Sequence, residues 1–83
     1  MSLKTNLALK DVTELTQEEA AKFLVAVGKT MLAKNVTALD VAGNITKDTM
    51  QVFRQYLVAE GIDLAEANRV YEQGSGQLFG LWP

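Results

Sequence analysis

The chain has 83 residues, 48% of them apolar and 22% charged, with one Pro, six Gly and a formal charge of −2. That is the composition of one small globular domain, and a net negative chain is poorly suited to nucleic acid or an anionic membrane. The absence of Cys excludes disulfides, thiolate nucleophiles and iron–sulfur sites, and the absence of His removes the commonest metal ligand and general base.

The first stretch, Met1 to Lys10, contains Leu3, Leu7 and Leu9 but no unbroken apolar run of signal-peptide length. Residues 7–12 fit a short strand, a helical turn or an extended packing segment. Such short runs cannot be arbitrated by periodicity.

A helix over residues 17–34 follows. Thr16 stands at its N-cap and Glu19 three residues on, the spacing at which each side chain can accept the other's backbone N–H. Leu15 is placed to staple onto Ala20, and Asn35 is a left-handed stop. Ala20, Phe23, Leu24, Val27 and Met31 form one apolar stripe, and Ala21, Val25, Gly28 and Leu32 form a second beside it. Only a narrow line through Glu18, Lys22 and Lys29 reads as wet, with Thr30 and Lys34 off to one side. A helix so nearly apolar all round needs cover on nearly all sides. Cover can come from the N-terminal leucines, from residues 36–41, from the C-terminal tail or from a second copy, and the expectation is a homodimer.

Residues 36–41 are as ambiguous as 7–12. Asp40 to Thr46 is similar in outline to a calcium loop, but the first and last ligand positions would be Ala38 and Thr49, where a carboxylate and a bidentate Glu are needed. A tight turn between helices is the better reading. A second helix is expected over 47–60 with Thr46 as cap, stopping at Gly61. A third is expected over 64–73, with Asp63 as cap and Glu66 in the box position, stopping at Gly74. The predicted fold is therefore all-α, a bundle of three main helices with an extended or short-helical N-terminal segment and an apolar C-terminal tail. Its expected core is Phe23, Leu24, Val27, Met31, Phe53, Leu57, Val70 and Tyr71.

Tyr56 to Val70 has the helix, Gly turn and helix of a DNA-binding motif. Leu57 and Glu60 stand where that motif usually has a small and an apolar residue. The recognition position carries Glu66 and Glu72 against Arg69, so nucleic acid is an unlikely partner. Acid pairs such as Glu18/Glu19 and Asp63/Glu66 are accounted for by capping and lack a nucleophile beside them, so no catalytic residue, metal or cofactor is expected.

After the third helix, Gly74-Ser75-Gly76 reads as a hinge releasing Gln77 to Pro83. This uncharged tail is too short to span a membrane. Leu78, Phe79, Leu81 and Trp82 are the candidate partner-binding residues, either folded back over the first helix or presented as a docking peptide. The functional expectation is a cytoplasmic, non-catalytic interaction or assembly module. The alternatives are a helix-turn-helix regulator and a peptide precursor with a helical leader.

Overall fold

The computed structural model describes residues 14–81, and these form four α-helices, one 3₁₀ turn and no strand. The helices are α1 (Gln17–Lys34), α2 (Ala38–Ala42), α3 (Lys47–Ala59) and α4 (Ala67–Phe79), with the 3₁₀ turn at Leu64–Glu66. The expectations for Leu3, Leu7, Leu9, residues 7–12 and Trp82 lie outside the described residues.

Local grammar sets the starts. The Thr16 N–H donates to Glu19 Oε1 and the Glu19 N–H to Thr16 Oγ1, both at 3.0 Å. Thr37 and Asp40 repeat the box at 3.1 Å in each direction, which resolves residues 36–41 as a cap and a helical turn. At α3, Thr46 Oγ1 accepts from the Thr49 N–H and donates to the Thr49 hydroxyl. The stops follow their own rules. Asn35 closes α1 in the left-handed region at φ 56°. At the end of α3, Gly61 (φ 96°) lets its own N–H reach the Val58 carbonyl and the Ile62 N–H reach that of Leu57. That double bond pattern satisfies two carbonyls the helix would otherwise leave bare.

The core gathers where α1 crosses α3 and α4. Phe23 is fully buried and meets the edges of Phe53 (5.7 Å between centroids) and Phe79 (6.1 Å). Phe53 meets Tyr71 in the same way at 5.6 Å. Tilted contacts of this kind set the positive ring edge against the negative face. Val27, Val41, Leu57 and Val70 fill the space around them, and Leu15 and Met31 pack on the rim.

Three expectations need correction. Leu24 is not in the core but 49% exposed, because α1 turns Ala26 and Thr30 inward instead. Thr30 can be wholly buried since its hydroxyl donates to the Ala26 carbonyl at 2.7 Å and so carries no unpaired donor inside. The third helix does not stop at Gly74 but continues through Phe79. Gly74-Ser75-Gly76 is therefore not a hinge. A Cβ at Gly74 would lie 2.5–2.7 Å from the Phe23 ring, so Gly74 is the place where α4 presses on α1. Finally, Glu66 does not complete a capping box. Asp63 caps alone through the Ala65 N–H, and Glu66 turns to Arg69.

Candidate interaction surface

Among the described residues, the outer side of α1 carries a run of exposed apolar side chains. Val25 is 40% exposed and Leu32 86%, beside half-exposed Leu24 and exposed Ala21. Gly28, itself partly buried, has nothing within 4 Å of the position its Cβ would take, so a side chain there would have room. At about 100° per residue, Ala21, Val25, Gly28 and Leu32 fall in one band, opposite buried Phe23, Ala26, Val27 and Thr30. This is the second stripe read from the sequence, and the described residues leave it uncovered. Its charged border is Glu18, Lys22 and Lys29. Lys22 pairs with Glu18 at 3.3 Å and Lys29 with Glu60 at 3.6 Å, both loose and at the surface.

The three described tail residues differ in burial. Phe79 belongs to the core against Phe23, whereas Leu78 and Leu81 stay part-exposed. After the left-handed Gly80, Leu81 folds over Gly43, its Cδ1 only 3.0 Å from where a Cβ there would sit. As far as Leu81 the chain does not cover the outer side of α1: it continues α4 to Phe79 and then lies against Gly43.

The turn between α3 and α4 also fails to present a cationic face. Arg69 Nη2 donates to Glu19 Oε2 at 2.7 Å and Arg69 Nε to Glu66 Oε1 at 2.6 Å. This link ties the start of α1 to α4 across fifty positions of sequence, and no local signal foretold it. Burial by itself would raise the Glu19 carboxyl. The Thr16 N–H and then Arg69 outweigh burial and hold it below the usual carboxylate range. The Glu66 hydrogen bond, against some desolvation, raises Arg69 in turn. Arg54 is likewise engaged, donating to Asn68 Oδ1 at 2.6 Å.

Inside, Tyr71 donates its hydroxyl toward the Val41 and Ala42 carbonyls, each at 2.9 Å. Burial pushes its pKa up, with a small contribution from Glu72. The Ser75 hydroxyl opposes that shift, though its geometry falls short of a formed hydrogen bond and leaves Ser75 Oγ a buried orphan. Among the described residues no three acidic side chains gather closely enough to hold a metal ion, and Asp40 of the supposed calcium loop serves the Thr37 cap. No helix among them is long and apolar enough to cross a membrane. No family model, curated protein or solved structure matches this chain.

Proposed function

We propose that this chain is a non-catalytic protein–protein interaction module that self-associates as a homodimer through the outer face of α1. One observation carries the reading: Leu32 is 86% exposed at the end of an apolar band that includes Ala21, Leu24, Val25 and Gly28. Leaving so many apolar groups in water on one side of one helix forfeits burial worth about 25 cal/mol per Å². A second surface recovers it. A cytoplasmic setting goes with this reading, since the fold holds without disulfides.

Sedimentation of the full chain from micromolar to near-millimolar protein tests it. The expected result is a monomer that gives way to a dimer as concentration rises. Leu32→Glu should return the dimer to monomer without loss of helix content, because Leu32 contributes little to the monomer's core. A chain that stays monomeric throughout, or a dimer indifferent to L32E, refutes the α1 interface.

A further inference from the structure

We draw no further inference here: the strongest candidate, the open groove along the outer side of α3 that passes Lys47, Gln51 and Arg54 to reach Val58 and Leu64, carries nothing because nothing in the structure shows what covers it.

Discussion

Two glycines on neighbouring helices show how little composition says about a residue and how much its surroundings say. At Gly74 a methyl group would meet three atoms of the buried Phe23 ring closer than real Cβ atoms come, and at Gly28 it would meet nothing. Helix propensity favours Ala over Gly by about 1 kcal/mol at both positions. Gly28→Ala should therefore stabilise the monomer by about 0.5–1 kcal/mol in urea titrations at low protein concentration. Gly74→Ala should instead destabilise, because overpacking of about 1–3 kcal/mol outweighs the propensity gain. Equal effects at the two sites would contradict the close approach of α4 to α1. Tyr71 supplies a second residue-level test. Its raised pKa means that the folded state resists ionisation, so the associated stability is complete below the ordinary tyrosine value of about 10 and declines as pH climbs through the raised value. Tyr71→Phe should flatten that alkaline decline and cost about 1–2 kcal/mol at neutral pH through the unpaired Val41 and Ala42 carbonyls.

Among the elements, the starts of α1 and α3 were legible, whereas the short α2 and both the start and the end of α4 were not. Thr16-x-x-Glu19 and Thr46 act within a single turn, so the residues that decide the outcome are adjacent in sequence. The same holds for Asn35 and Gly61, whose left-handed backbones close α1 and α3. Gly74-Ser75-Gly76 has the local chemistry of a break, yet it lies inside α4 because Phe23, distant in sequence, needs a helix without a side chain there. Likewise α1 shows two apolar stripes, and the buried side takes in Thr30, which hides its hydroxyl against Ala26. The open stripe of the candidate surface was readable as apolar. Which of the two stripes would be left open was not, since that depends on how α3 and α4 arrive. The cap of α1 carries a pH prediction. Glu19 titrates below the ordinary range, so its contribution is present above the ordinary carboxylate value and is lost as pH falls through its lowered one. Thr16→Ala should cost about 1 kcal/mol and shrink the acid-side loss of stability, read from melts across a pH series.

For the whole molecule, the proposed self-association would be linked to folding. If the dimer forms only from folded chains, its formation draws the unfolding equilibrium toward the native side by mass action. The Tm of the wild-type chain should therefore rise with protein concentration, whereas that of Leu32→Glu should stay constant. Parallel behaviour of the two would speak against an α1 interface even if some dimer were seen. A chain of this size has a small stability margin, roughly 0.05–0.15 kcal/mol per residue, so the proposed self-association would change it measurably.

The Tyr71 phenol is fixed at its tip by two backbone carbonyls and lies edge-on to Phe53. A ring held this way can turn about its long axis only when its neighbours briefly part. Half-turns slowed by such packing would split the ring's proton resonances into separate sets, and the temperature at which those sets merge would report the breathing of the interior. Ring half-turns slow enough to resolve would thus make Tyr71 an internal clock for core motion, readable by nuclear magnetic resonance without any added label.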